Sequence, residues 1–246
     1  SYIGLSHLSL NYSASALIYK NKVQIFDKKE IIDNFIEKKL NFYEPGLDNT
    51  FRKYFKKVSF SFDFNKLLKS DLIFIAVDVL TNNFDKVSYD RLNNLINNCL
   101  KIIKNSKIPL IIMSQVEPGF TRKIKYDDRY LYHYVETLVF GNALFRATNP
   151  ERIIIGKQSK SFRPSKKLIN FLNNYNCEII EMTYEESELT KTFINIYLAS
   201  QLITTNNLSN ISKSLNCDWN KIKSALKLDK RIGNFSYINP GLGISG

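Results

Sequence analysis

Cysteine is scarce in this sequence. Cys99, Cys177 and Cys217 are far apart and odd in number, which argues against a disulfide framework or a cysteine zinc site. They are expected as reduced, mostly buried thiols in a cytoplasmic setting, and no metal site is expected. Long apolar runs are missing: the best, Leu72 to Val77, has the length of a strand and not of a membrane span, so no membrane partner is expected. No secretory signal is expected either, because the N-terminus enters a strand-like pattern at once. No internal repeat or low-complexity linker divides the chain. Dense basic runs alternating with aromatics are also absent. The formal charge of +12 comes from lysines spread among asparagines, as in KKEIIDNFIEKK and NNCLKIIKNSK. That pattern reads as a solvated lysine-rich surface, and nucleic acid is not expected as a partner. A cleft for a phosphate-bearing small substrate would also suit the positive charge.

What is present is a core. The 246 residues are 44% hydrophobic and 13% aromatic, which excludes disorder and suffices for one large domain or one and a half smaller ones. Strand and helix patterns alternate. Strands are predicted at Val23–Phe26, Val58–Ser61, Leu72–Val77, Leu110–Val116, Arg152–Ile155 and Cys177–Met182. An amphipathic helix is predicted over Ser88–Lys104, with Leu92, Leu95, Ile96, Cys99, Ile102 and Ile103 on one face. Another lies near Pro164–Asn174. Strands separated by helices imply an α/β fold, a Rossmann-like parallel sheet with flanking helices and right-handed crossovers. The alternation stops near Tyr184. From Glu185 to about Leu215 the sequence reads as one long helix, followed by a shorter one near Trp219–Leu226 and a glycine-rich tail. The expected division is residues 1–183 and 184–246.

The stretch IGLSHLSLNYSASALIYKNKVQIFD, Ile3 to Asp27, has the outline of a dinucleotide-binding turn. Such a turn uses three glycines: for the tight turn, for the approach of backbone to pyrophosphate, and for packing of helix on strand. Gly4 holds the first place, and Ser6 and Ser9 hold the others. Serine is small, and its hydroxyl can donate to a phosphate oxygen. The helix N-terminus offers free amides and a positive dipole end. Asp27, at the end of the second strand, is placed to accept both ribose hydroxyls of NAD and to repel the 2′-phosphate of NADP. A turn aspartate at a strand end is the alternative.

Six further motifs follow in order: YEPGL (Tyr43–Leu47), DLIFIAV (Asp71–Val77), SQVEPGFTR (Ser114–Arg122), VETLVFGNALFRATNPERIIIG (Val135–Gly156), SELTKTFINIYLAS (Ser187–Ser200), and RIG (Arg231–Gly233) with NPGLGISG (Asn239–Gly246). With these the chain resembles the UDP-glucose/GDP-mannose 6-dehydrogenase family over nearly its whole length. The resemblance implies NAD-dependent oxidation of the C6 alcohol of a nucleotide sugar to a carboxylate, through a cysteine thiolate that attacks the intermediate aldehyde. It implies a cofactor site at Gly4, Leu5, Ser6, His7, Leu8, Asp27, Val77 and Gln115. It implies a substrate site at Glu136, Thr137, Leu138, Lys191, Asn195, Gly241 and Gly243. Among these, Lys191 and Asn195, at i and i+4 on one helix face, would stabilise a developing alkoxide, and Glu136 would serve thioester hydrolysis.

The chain also departs from the family pattern. Phe140 stands where a second glutamate would be, Gln115 and Val79 where threonines would be, and His7 where a tyrosine would be. The chain stops short of the cysteine position, and none of its three cysteines replaces that nucleophile by motif. It is therefore expected to be the N-terminal portion of a longer protein, ending before the C-terminal sugar-nucleotide domain. Two alternatives stay open: a cysteine-less relative that passes a single hydride with Lys191 as acid/base, and a binder of cofactor or sugar nucleotide without turnover. The resemblance implies a homodimer through the helix over residues 185–215, whose apolar positions, including Leu189, Phe193, Ile196, Ile203, Leu208 and Ile211, exceed what one face needs; a second domain would cover them equally well.

Overall fold

A computed structural model describes residues 1–38, 43–81, 87–233 and 235–241. The elements in chain order are β1 (Tyr2–Ile3), α1 (His7–Ile18), β2 (Val23–Phe26), α2 (Lys29–Lys38), α3 (Leu47–Lys53), β3 (Val58–Ser61), β4 (Ile73–Ile75), β5 (Leu80–Thr81), β6 (Val87–Ser88), α4 (Asp90–Ile103), β7 (Leu110–Ile112), β8 (Leu131–Tyr134), α5 (Ala143–Thr148), β9 (Arg152–Lys157), α6 (Lys166–Leu172), β10 (Glu178–Thr183), α7 (Tyr184–Ser214) and α8 (Trp219–Leu228). Eight strands form one sheet in the order β10-β9-β8-β7-β4-β1-β2-β3, and β5 pairs with β6 apart from it. The fold is the expected Rossmann-like one, with the long helix following it.

The central strands read as continuous apolar runs because both faces of the sheet are covered. Tyr2, Ile25, Phe74 and Ile111 enter one core cluster with α1. Their alternate neighbours Ile3, Phe26, Ile73, Ile75, Leu110 and Ile112 enter the other, with Leu92, Leu95, Ile96, Cys99 and Ile103 of α4. The predicted stripe of α4 is thus the buried one, with Ile102 only partly covered. The β4 and β7 ladders are shorter than their apolar runs suggest. Beyond Met113, whose amide reaches Ile75 O at 2.8 Å, the Val77 amide bonds instead to the Ser114 hydroxyl at 3.0 Å. A side chain replaces the ladder where the two strands part.

Two features depart from the sequence pattern. The sheet is not wholly parallel: β9 runs antiparallel to β8, with His133 opposite Gly156 and Tyr134 opposite Ile155. The link through α5 packs on α1 and re-enters the sheet from the carboxyl end of β8, instead of crossing to the other end. The strand β8 itself, LYHY, has neither alternation nor an aliphatic run; all four residues are buried.

The chain separates into two compact units, Ser1–Leu189 and Thr190–Gly246, the boundary falling inside α7. In the first unit, the start of α7 is tied to the sheet. Tyr184 Oη donates to Leu131 O at 2.9 Å, and Ser187 Oγ meets His133 Nδ1 at 2.8 Å. Gly156 makes room for this, since a Cβ there would lie 2.1 Å from Ser187 Oγ. In the second unit, the tail lies on α7: Thr205 Oγ1 donates to Tyr237 O at 2.5 Å, and Asn206 exchanges two bonds of 2.9 Å with the backbone of Gly241.

His133 is 2% exposed, and burial pushes its imidazole down from 6.5 to about 3. A depressed histidine contributes stability fully above its unfolded pKa and loses it as pH falls toward the folded one. Stability against denaturant should therefore fall from pH 6.5 downward, by about 1.4 kcal/mol per pH unit from this group. His133→Asn should flatten that part of the profile.

Candidate functional site

The order β4-β1-β2 makes β1 the switch point of the sheet: the chain adds β2 and β3 on one side of it, then returns to add β4 and β7 on the other. A crevice at the carboxyl ends of such strands is where open α/β sheets take ligands. Gly4, Asp27, Val77, Gln115 and Glu136 all follow strand ends on this edge. Gly4 has φ +97°, and a Cβ on it would meet Val77 Cγ1 at 2.1 Å and Ala76 O at 3.0 Å. Only glycine fits, because the turn passes directly against the β4 backbone.

The two serines are turned inward. Ser6, extended at φ −138° and ψ 169°, caps α1. Its hydroxyl accepts from the Ser9 amide at 3.2 Å and donates to Ala76 O at 2.8 Å, while Ser9 Oγ accepts from the Ser6 amide at 3.0 Å. This reciprocal capping box is built from serine at both ends. The expectation that a serine hydroxyl serves a phosphate is therefore corrected: both hydroxyls are consumed by the turn, and Ser6 and Ser9 are buried. For the same reason they do not plug the crevice.

Asp27 is aimed at the turn. Its carboxylate accepts from the Leu5 amide at 2.7 Å, the Lys28 amide at 2.8 Å and the Arg91 guanidinium at 2.7 Å. His7 sends its ring sideways: Nε2 lies 2.8 Å from Glu44 Oε1, and the ring stacks on Phe140 at a centroid distance of 4.2 Å. Glu44, of the YEPGL motif, is buried and also accepts from the amides of Gly141 at 2.9 Å and Ala143 at 3.2 Å. Burial pushes its carboxyl up, but His7 and the two amides outweigh this and hold it below the usual range. Phe140 thus meets its role in packing, against the cofactor turn. Asp78, exposed at the crevice just past β4, is raised by partial enclosure, with His7 and Arg91 pulling it back and Glu136 pushing it up. It also draws a hydrogen bond from the His7 backbone.

The remaining expected residues are placed as follows. Val77 is buried under Gly4 and Gln115 is exposed past β7, while Leu5 is half-buried and Leu8 buried on α1. Glu136 accepts from the Leu138 amide at 2.9 Å, and Thr137 O takes a bond from Arg146 at 2.7 Å. Lys191 and Asn195 are half-buried on α7 in the second unit, and Gly241 is held by Asn206 in that unit. Gly243 lies outside the described residues. The sequence pattern did not single out Glu44, Asp78, Arg91 or Glu188. Glu188 is 1% exposed and accepts from the amides of Gly119 at 2.5 Å and Thr121 at 2.8 Å, fixing the SQVEPGFTR turn. Its motif was visible; its role as a loop anchor was not, because the partner amides are 67 and 69 residues away. Among the described residues no cluster of histidine, cysteine and acid side chains could hold a metal ion, and no helix is long and apolar enough to cross a membrane.

A dinucleotide fits this geometry. The amides of His7 and Leu8 stand at the first two helical positions, where the helix supplies no carbonyl; Asp78 accepts from the first, and a buried acid closes β2 beside them. The class this defines is a dinucleotide-binding domain of dehydrogenase type. The NAD binding domain of the UDP-glucose/GDP-mannose dehydrogenase family matches residues 1–171, and the family's central domain matches residues 185–246. The chain belongs to that family, and the cofactor of its first domain is NAD. It is 31% identical over 264 aligned positions to a UDP-glucose 6-dehydrogenase of Campylobacter jejuni, covering 99% of this chain and 63% of that protein. Its fold is similar to that of a UDP-glucose dehydrogenase from Pyrobaculum islandicum, with a TM-score of 0.86 at 22% identity, covering all of this chain and 60% of that one. It is similar also to a GDP-mannose dehydrogenase from Pseudomonas aeruginosa, with a TM-score of 0.84 at 20% identity, covering 98% and 59%. The chain thus spans roughly 60% of the length of these relatives.

Asp78 puts a negative charge against the amide that a pyrophosphate needs. Asp78→Asn should tighten NAD binding about three- to tenfold at pH 7.5. The wild-type affinity should rise as pH falls and this carboxyl protonates, and the variant should lose that slope, both read by calorimetric titration.

Proposed function

We propose that this chain is the cofactor-binding and central portion of an NAD-dependent nucleotide-sugar 6-dehydrogenase, which oxidises a C6 alcohol to a carboxylate. The observation that carries the reading is the Gly4 turn with Asp27 bonded to the Leu5 amide at 2.7 Å. NAD, when bound, supplies the hydride acceptor. Gly4 makes the tight turn that brings the α1 N-terminus and its amides to the pyrophosphate, and Asp27 takes the ribose. Leu5, Ser6, His7, Leu8 and Val77 shape this end, and Gln115 stands by the nicotinamide as a hydrogen-bonding and not a basic group.

For the sugar, Lys191 and Asn195 would stabilise the developing alkoxide with an ammonium and an amide. Glu136, with Thr137 and Leu138, would serve the hydrolytic end of the reaction. Gly241 and Gly243 belong to the approach to the nucleophile. The domain division is taken at 183/184, and the setting as cytoplasmic.

Calorimetric titration should give a saturable heat with NAD, and its absence would sink the proposal. With UDP-glucose as the trial sugar, two NADH per sugar consumed would support oxidation to the acid. One would favour the single-hydride alternative, and none with intact binding would favour a binder.

We also propose that α7 pairs with a second copy of itself. Its apolar residues Phe193 (60% exposed), Ile196, Ile203, Leu208 and Ile211 are uncovered over several turns, more than isolated surface residues explain. Light scattering should give twice the chain mass, and Ile203→Asp should shift it to one. A monomeric wild type would refute the pairing.

A further inference from the structure

The acid at the end of β2 is not bare. Asp27 is 1% exposed, and Arg91 lies on it at 2.7 Å with its own side chain 42% exposed. A carboxylate offers about four acceptor positions, and three here are taken by Leu5, Lys28 and Arg91. A ribose offering two hydroxyls finds one position free, and of the three donors present only the half-exposed Arg91 side chain can move aside for the second.

We propose that Arg91 makes the adenosine end of this site accept a 2′-phosphate, so that the chain binds NADP as well as NAD. The inference rests on the dinucleotide reading above. A strand-end acid excludes NADP because a carboxylate repels the extra phosphate, whereas a nearby arginine accommodates it. Here the two occur together, bonded, and the pair carries no net charge. When the ribose displaces the guanidinium, Arg91 stays anchored on the first turn of α4, next to the sugar hydroxyls that Asp27 holds. Its planar fork of donors matches phosphate oxygens two at a time. The surroundings add to this: Lys28 and Lys29 follow Asp27 directly and are both exposed, at the N-terminus of α2. Against these cations stand Asp27 and, at the crevice, Asp78, whose charge Arg91 also offsets, so the guanidinium decides whether a doubly charged group is tolerated.

Arg91 offsets the charge of the buried Asp27 and takes no part in the apolar packing of α4. The buried face of α4 is carried by Leu92, Leu95, Ile96, Cys99 and Ile103, so Arg91 can be changed without opening the core.

The test is calorimetric titration of the 246-residue chain with NAD and with NADP, for the wild type, Arg91→Gln and Arg91→Lys, with folding checked by circular dichroism. The wild-type Kd for NADP should lie within about tenfold of that for NAD. Arg91→Gln should weaken NADP at least about tenfold more than NAD, and Arg91→Lys should retain most NADP binding. A wild type that discriminates against NADP more strongly overturns the inference and leaves the NAD reading standing. Equal losses for both nucleotides in Arg91→Gln also overturn it. No binding of either nucleotide overturns the NAD reading, and this inference with it.

Discussion

The crevice depends on one close approach, that of the Gly4 backbone to Val77 and Ala76 at the end of β4. The 2.1 Å a Cβ would leave to Val77 Cγ1 permits no other residue without moving a central strand. Because the turn is that tight, Ser6 reaches Ala76 O and caps α1, and the Leu5 amide meets Asp27. The direction of α1, the capping of its first turn and the bond between Asp27 and the Leu5 amide all follow from a single missing side chain.

Around this turn, buried carboxylates do the fixing. Asp27, Glu44 and Glu188 are each at most 3% exposed, and each accepts at least two backbone amides from loops at the carboxyl edge of the sheet. An ionised acceptor makes stronger bonds to amides than a neutral one, so a single acid can hold a loop that has no ladder to support it. Asp78 and Arg91 stand apart from these three. They are exposed, they face the crevice, and they tune its charge instead of building its walls.

Much of the scaffold was legible. The apolar runs around Phe74 and Ile111 mark strands buried on both faces, the stripe of α4 marks its packing face, and the length of α7 follows from an uninterrupted helical pattern. The strand at Leu131–Tyr134 was not legible, since four buried residues with two tyrosines and a histidine show no period. The antiparallel pairing of β9 with β8 was not legible either, because strand direction depends on which end of the sheet a connection returns to. In the site, Gly4 and Asp27 could be read from their spacing around a strand and a helix. Glu44, Arg91 and Glu188 could not, because their partners lie 37 to 99 residues away along the chain.

By itself, the sequence determined the α/β class, the family and the candidate turn, since periodicity and ordered motifs are properties of neighbours along a chain. Only the tertiary structure decided what the serines do, which group covers Asp27, and where Phe140 and Asp78 lie. Those outcomes depend on distances between strand ends that come together only when the sheet forms, and no local pattern encodes such a distance.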